Sequence, residues 1–414
     1  MRLAVICNET PYPPIHGGRV DVLRRLQAFH KQGVKIAQLI IWCGDSDLAG
    51  QRAALSENLG GIVEEFTLLG ISRAWHSRLK RLPRLLFNSL YVATRDVNAS
   101  KLDRLVEAAR IADVNAVFLD GLFGGKLALA VSAKLQVPLF YRSHNVEHTY
   151  LRQQSRVAKS FRSKLIHWLA CRNVAAFERQ VITRSSLVFD ISIEDMTYWK
   201  SQGFHNVVWV PPICDPLPLS VNQLKKRDVA FLGNLFMPNN VQGLRWLLES
   251  VWPLVIKKSV GATLRVAGSN PVDELTQACA NSPNVELVSN VRVVSDVYDA
   301  ALVMVNPVLV GSGVNMKALE FLDTGKPVIS TSQGVRGLPI EHKALFQLAD
   351  SAPDFASAIV EALNNHSDDA VKSRLPECYR PEAITTVIQM MSVVISRFKS
   401  VQSFGNADSK SQRK

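Results

Sequence analysis

Residues 302–324 read LVMVNPVLVGSGVNMKALEFLDT. Leu302 to Val305 is an apolar run short enough for a buried strand, and from Val314 to Thr324 the apolar spacing is helical. Between them lies a glycine loop. Its glycines let the backbone approach a ligand closely, and the helix behind it begins with unpaired N–H groups suited to an anion. Lys317 and Glu320 stand at i and i+3, on one face of that helix. A lysine there can neutralise a diphosphate, and a glutamate can accept bonds from both ribose hydroxyls. A surface ion pair is the plainer reading of the same spacing.

The unit repeats outward along the chain. Downstream come Gly325-Lys326-Pro327-Val328-Ile329, with a strand over Val328 to Ser330, and Gly334-Val335-Arg336-Gly337-Leu338. Upstream, strands are expected over Val229 to Gly233, Thr263 to Ala267 and Val285 to Val288. Helices are expected near Val241 to Lys257, Val272 to Ala280 and Asp354 to Leu363. Before these, Pro211, Pro212, Pro216 and Pro218 precede the charged run Lys225-Lys226-Arg227-Asp228. Prolines and charges in that order mark a linker. The first half has the same alternation. Strands are expected over Arg2 to Cys7, Lys35 to Cys43, Val114 to Leu119, Pro138 to Arg142, Leu187 to Ile191 and Val207 to Val210, with a helix from Arg19 to Lys31. Strands alternating with helices specify α/β domains with doubly wound parallel sheets, here two of them. A last helix, about Pro381 to Ser400, opens with proline at its start. The polar tail beyond it is expected to be disordered.

Composition sets bounds on function. The chain has 414 residues, 47% of them apolar and 20% charged, which excludes disorder as the main state. No apolar run is long enough to span a bilayer, and the start does not read as a signal peptide, so a cytoplasmic protein is expected. The six cysteines are scattered and form no C-x-x-C, which points to free thiols rather than zinc or a redox pair. The net charge of +12 is uneven. Up to Val210 there are 28 Lys and Arg against 17 Asp and Glu; afterwards there are 20 against 19. Within the basic half, Arg73, Arg78, Lys80, Arg81 and Arg84 alternate with Trp75, Leu79, Leu82 and Phe87, and a second basic stretch runs from Arg152 to Arg184. Such segments suit an anionic membrane surface, against a solvated helix face as the alternative. No nucleic-acid recognition motif accompanies them, so nucleic acid is not expected as a partner.

Two further loops follow strand ends in the first half. Pro13-Pro14-Ile15-His16-Gly17-Gly18 joins the first strand to the first helix. Gly17 and Gly18 there allow a phosphate to reach the helix N-terminus, although a tight turn would need them too. The pattern is not G-x-G-x-x-G, which argues against a nicotinamide dinucleotide. Ser143-His144-Asn145-Val146-Glu147-His148 follows the strand ending at Arg142. His144 can hydrogen-bond a sugar or phosphate oxygen or move a proton, or it can cap the next helix. The His and Glu spacing matches no zinc motif, and no Asp-x-Asp pair is present, so no metal site and no cofactor are expected.

Taken together, these residues resemble the retaining GT-B glycosyltransferases of family 4. The resemblance is carried by Pro-Pro-x-His-Gly-Gly, His144-Asn145, Phe231-Leu232-Gly233 with Pro238-Asn239, Val266-Ala267-Gly268, Pro307 to Glu320 and Gly325-Lys326-Pro327-Val328. It covers nearly the whole chain, and the subgroup most similar makes bacterial cell-surface polysaccharides. It implies two facing Rossmann-like domains, at 1–212 and 228–378. A linker at 213–227 would join them, a helix at 379–402 would cross back to the first domain, and 403–414 would form a disordered tail. It also implies a nucleotide-sugar donor on the second domain and an acceptor on the first, with the active site in the cleft.

By the family's pattern, Gly17 and Gly18 lie against the donor diphosphate, His144 lies near the transferred sugar, and Glu320 holds the ribose. Lys317 is the expected counter-charge to the diphosphate. Gly233, Asn234, Gly311, Ser312, Gly313, Val314 and Asn315 supply the binding loops. Two departures matter. Ser312 stands where the family's E-x7-E pair has its first glutamate, a usual contact of the donor sugar. The stretch from Asn234 to Asn240 lacks the Arg and Lys that many members carry there. Lys317 can supply that charge, with Arg265 and Arg336 as weaker candidates. The expected activity is retaining transfer of a sugar to a lipid-linked or polysaccharide acceptor at the inner face of a membrane. Two alternatives stand beside it: a non-catalytic binding subunit of the same fold, and a nucleotide-sugar epimerase.

Overall fold

The computed structural model describes the chain apart from residues 73–87, 158–163, 165, 167, 170, 218–227, 292, 312, 366–372 and 412–414. The basic segment Arg73 to Phe87 and Ser312 therefore lie outside the described residues, as do parts of the linker and of the second basic stretch. The chain forms two compact units. One comprises Met1–Pro211 and Pro381–Lys414, the other Pro212–Arg380.

The first unit is built on seven parallel strands: β1 (Arg2–Cys7), β2 (Lys35–Gly44), β3 (Phe66–Ile71), β4 (Ala116–Asp120), β5 (Leu139–Ser143), β6 (Leu187–Asp190) and β7 (Val207–Trp209). Their order is β3-β2-β1-β4-β5-β6-β7. Helices connect them, as parallel pairing requires. The central strands are covered on both faces, which explains unbroken apolar runs such as Leu3 to Cys7, each residue at most 1% exposed.

The second unit repeats the plan with six strands: β8 (Asp228–Asn234), β9 (Thr263–Ser269), β10 (Val285–Ser289), β11 (Ala301–Asn306), β12 (Val328–Ser330) and β13 (Gln347–Leu348), in the order β10-β9-β8-β11-β12-β13. Each sheet starts in its middle and reverses direction between its first and fourth strands. That is the GT-B architecture of two Rossmann-like sheets. It places a crevice outside the carboxyl ends of β1 and β4 in one unit, and of β8 and β11 in the other.

Some expected elements differ. The expected helix over Val241 to Lys257 is interrupted. Pro238–Trp246 and Trp252–Lys258 are α-helical, and Leu247–Val251 is a π-type turn. Pro253 lacks the N–H that the continuing ladder would need. The last helix runs Ile384–Ser411, after a 3-10 turn at Pro381–Ala383. It extends past Ser400 into the stretch expected to be disordered, since no proline interrupts it. Within the first unit it buries Ile384, Val387, Met391 and Ile395, a stripe at helical spacing.

Candidate functional site

In the first unit the candidate residues gather around the carboxyl ends of β1, β4 and β5. Helix Gly17–Lys31 starts directly at the two glycines, with His16 as its N-cap residue. His16 makes no capping bond, and the first turn carries no acid. Its ring instead lies 3.2 Å from the Glu9 carboxylate, which also accepts a bond from Arg19 Nε at 3.0 Å. The first-turn N–H groups are thus left without a side-chain cap. A methyl group added at Gly18 would meet only the His16 ring, at 3.4 Å. Packing therefore does not demand a glycine at this position.

His144 is held from below. Its Nε2 lies 2.7 Å from Asp120 Oδ1, at the end of β4, and its Nδ1 lies 3.8 Å from Asp21 Oδ2. Both aspartates belong to a buried ionic network. Arg25 bridges them, donating to Asp21 Oδ2 at 2.7 Å and to Asp120. Arg142 adds two bonds of 3.3 Å to Asp21 and donates to the Val210 carbonyl. Burial alone would raise the carboxyls of Asp21 and Asp120. The nearby guanidiniums, Arg142 and Arg25 for Asp21 and Arg25 for Asp120, instead hold both below their ordinary values. The His144 ring is therefore oriented by a carboxylate that remains charged. Sequence reading missed Asp21, Arg25, Asp120 and Arg142. The signals were present: Asp21 and Arg25 at i, i+4 on one helix face, and charges inside the apolar runs ending at Asp120 and Ser143.

The second unit brings together the loops after β8 and β11. Lys317, in the first turn of helix Met316–Asp323, donates to Asn240 Oδ1 at 2.7 Å, and its ammonium lies 4.2 Å from the centre of the Phe231 ring. Asn240 in turn donates to the Asn234 carbonyl at 2.8 Å, while Asn234 Oδ1 accepts from Phe236 N–H at 2.9 Å. Lys317 is thus tied to the Gly233-Asn234 turn through a neutral amide and an aromatic face. No carboxylate lies in ion-pair range of its ammonium among the described residues. Burial pushes its pKa down to about 7. A cation held this way gains when an anion arrives.

The glycine loop is supported from beneath. Asn315, the N-cap residue, makes no capping bond; its side chain donates to Asn306 Oδ1 at 3.1 Å. Asn306 donates onward to Ser330 Oγ at 3.1 Å and to the Gly334 carbonyl at 3.0 Å. Gln333 holds the Gly311 carbonyl at 2.9 Å, and Gly313 has φ +67°, where glycine is at home. Val314 and Glu320 are half-buried, Glu320 one turn beyond Lys317. Asn240 and Asn306 were also missed by sequence reading, since buried asparagines leave no periodic trace. Of the weaker candidates, Arg265 is committed elsewhere, its guanidinium lying 3.0 Å from Glu286 and 3.4 Å from Asp228.

Residues 226–365 match the family described as Glycosyl transferases group 1. A Klebsiella pneumoniae protein, described as an uncharacterized 44.6 kDa protein in the cps region, is 27% identical over 377 residues. The match covers 88% of this chain and 92% of that protein. Among solved structures, Staphylococcus aureus TarM, crystallised with UDP among its ligands, superposes with a TM-score of 0.62 at 10% identity, over 94% of this chain and 99% of that one. Anabaena HepE, in complex with UDP, superposes with a TM-score of 0.59 at 12% identity, over 97% and 100%. Strand order and likeness agree: the second unit matches the glycosyl transferases group 1, and the chain has the GT-B fold.

Proposed function

We propose that the protein moves a sugar from a nucleoside-diphosphate donor to a lipid-linked or polysaccharide acceptor of a cell-surface glycan, with retention of anomeric configuration. The observation that carries this reading is Lys317: a half-buried ammonium without a carboxylate partner among the described residues, beside a glycine loop and an uncapped helix start, at the carboxyl end of β11. The bond from the sugar's anomeric carbon to the leaving phosphate oxygen breaks, and one to the acceptor oxygen forms. The acceptor's proton passes to the departing diphosphate. Lys317 and the loop N–H groups stabilise the charge that develops on that diphosphate. Glu320 accepts the ribose hydroxyls. In the first unit, His144, fixed by Asp120, bonds the transferred sugar, and Gly17 and Gly18 leave its approach open. TarM and HepE were both solved with UDP, which makes uridine the first base to test. The cps-region relative supports a surface polysaccharide as the product, and an anionic membrane is the proposed place of the acceptor.

Thermal unfolding with UDP, GDP and ADP tests the donor site. A ligand that binds the native state raises the midpoint by mass action. Stabilisation by one nucleoside diphosphate, reduced in Glu320→Gln, is the expected result. A well-folded sample indifferent to all three would instead leave a non-catalytic binding subunit. Anomeric analysis of the first product then settles retention.

A further inference from the structure

A groove of about 780 Å³ opens in the first unit. It lies between helices Gly125–Leu135 and Val174–Arg184 and the last helix, Ile384–Ser411. Leu129, Val137, Val394 and Phe398 form its apolar lining, with Arg184 and Arg397 among them, and no lining residue is acidic. Neither guanidinium has a hydrogen-bond or ion-pair partner among the described residues, and both arginines are exposed. Apolar side chains also project from the last helix: Val393 is 51% exposed, Phe398 37% and Val401 71%. They lie outside the stripe that the helix buries, so packing does not account for them. The groove takes in Leu139, the first residue of β5, whereas His144 follows that strand's other end. Five residues at about 3.3 Å each separate the two by roughly 16 Å. The groove therefore lies at the other end of this strand from His144.

We infer that this groove docks the protein on an anionic bilayer, seating a lipid phosphate on Arg184 and Arg397 with the upper acyl chain along the apolar lining. Charge selects this occupant. The first unit carries 33 Lys and Arg against 19 Asp and Glu, whereas the second carries 15 against 17. An excess of that size over one unit is drawn to an extended anionic surface, and it repels a second copy of the same face. The inference rests on the transferase reading only for its purpose, delivery of the enzyme to a lipid-linked acceptor.

Sedimentation of the full chain with vesicles of phosphatidylglycerol in phosphatidylcholine, and of phosphatidylcholine alone, tests it. Binding is expected only with the anionic lipid, and to weaken as salt is raised. Arg184→Gln with Arg397→Gln should weaken it by roughly five-fold per arginine. Phe398→Ser should weaken it at every salt concentration. These side chains are exposed, so unchanged thermal midpoints exclude unfolding as the cause. Equal binding by the double variant would overturn the inference, as would equal binding to uncharged vesicles. Loss only on neutralising the basic segment between Arg73 and Arg84 would also overturn it, by placing the contact there. A dimer by light scattering that Phe398→Ser dissolves would make the groove an interface between copies. The nucleotide-induced rise in midpoint, measured on the same variants, separates this result from the donor site: its absence in the wild type would count against the transferase reading and leave the lipid result standing.

Discussion

At the scale of single residues, Lys317 is where physics and function pull apart most clearly. Burial lowers its pKa from 10.5 to about 7, so the folded protein binds this proton less tightly than the unfolded chain does. Between about pH 7 and 10.5 the unfolded state holds more protons, and stability from this group rises with pH across that window. Below pH 7 the ammonium is charged, and no carboxylate among the described residues offsets its desolvation. Lys317→Met is therefore expected to leave stability unchanged or slightly higher at neutral pH, while lowering turnover by about 100-fold or more, the scale of one lost transition-state contact. Calorimetry adds a sharper readout. A bound diphosphate restores the charged form, so UDP binding at pH 8 should take up close to one proton, and at pH 6 almost none. Titrations in buffers of differing ionisation enthalpy measure this, and the uptake should vanish in the variant. Equal uptake in wild type and variant would show that Lys317 does not face the phosphate. The shared helix of Lys317 and Glu320 behind a glycine loop was legible from their spacing. The network below His144 was not, because a charge buried in a strand is recognised only once its partners, 95 and 121 residues away in sequence, are in place.

At the scale of elements, the Gly325-Lys326-Pro327 motif has a different purpose from the one its place in the family pattern invites. Lys326 is buried, and its ammonium donates to the carbonyls of Tyr298, Asp299 and Ala301. These are the last carbonyls of helix Val294–Ala300 and the first of β11, so one cation closes the helix and fixes the entry to the central strand. Lys326→Met should cost about 1–3 kcal/mol, since it leaves buried carbonyls without a donor. Urea unfolding measures the loss, and the nucleotide-induced shift should survive in the folded fraction. A variant of full stability that no longer binds nucleotide would place Lys326 in the donor site instead. The same scale explains what the pattern of residues could and could not reveal. Central strands announce themselves as apolar runs because both faces are covered. β3 does not: Phe66–Ile71 lies at the sheet's edge with half-exposed positions, and its glycine and threonine dilute the signal. β13, two residues long, is too short to carry any pattern.

At the scale of the whole molecule, the doubling of one βα plan was visible because each sheet restarts with the same apolar strand and glycine loop. The exact path of the last helix was not, because helix extension depends on packing as much as propensity. Buried acids in the first unit set a second, opposite dependence on pH. Burial, reinforced by Asp195, pushes Asp190 up to about 8, and burial with Glu178 does the same for Glu147. From pH 3.8, the ordinary value of the carboxyl, to about 8, folded Asp190 keeps a proton that the unfolded chain releases. Stability from this group therefore falls as pH rises through that window, and the penalty is complete above pH 8. Asp190→Asn removes the titration but keeps the oxygen that accepts the Ser192 N–H at 3.0 Å. The variant should match wild type near pH 4 and exceed it by about 1–3 kcal/mol at pH 8. Thermal or urea unfolding across that range reads the difference directly. A constant gap between the two curves would mean that Asp190 is ionised in the folded protein throughout, stabilised by Ser143 and Arg142 more strongly than burial opposes it.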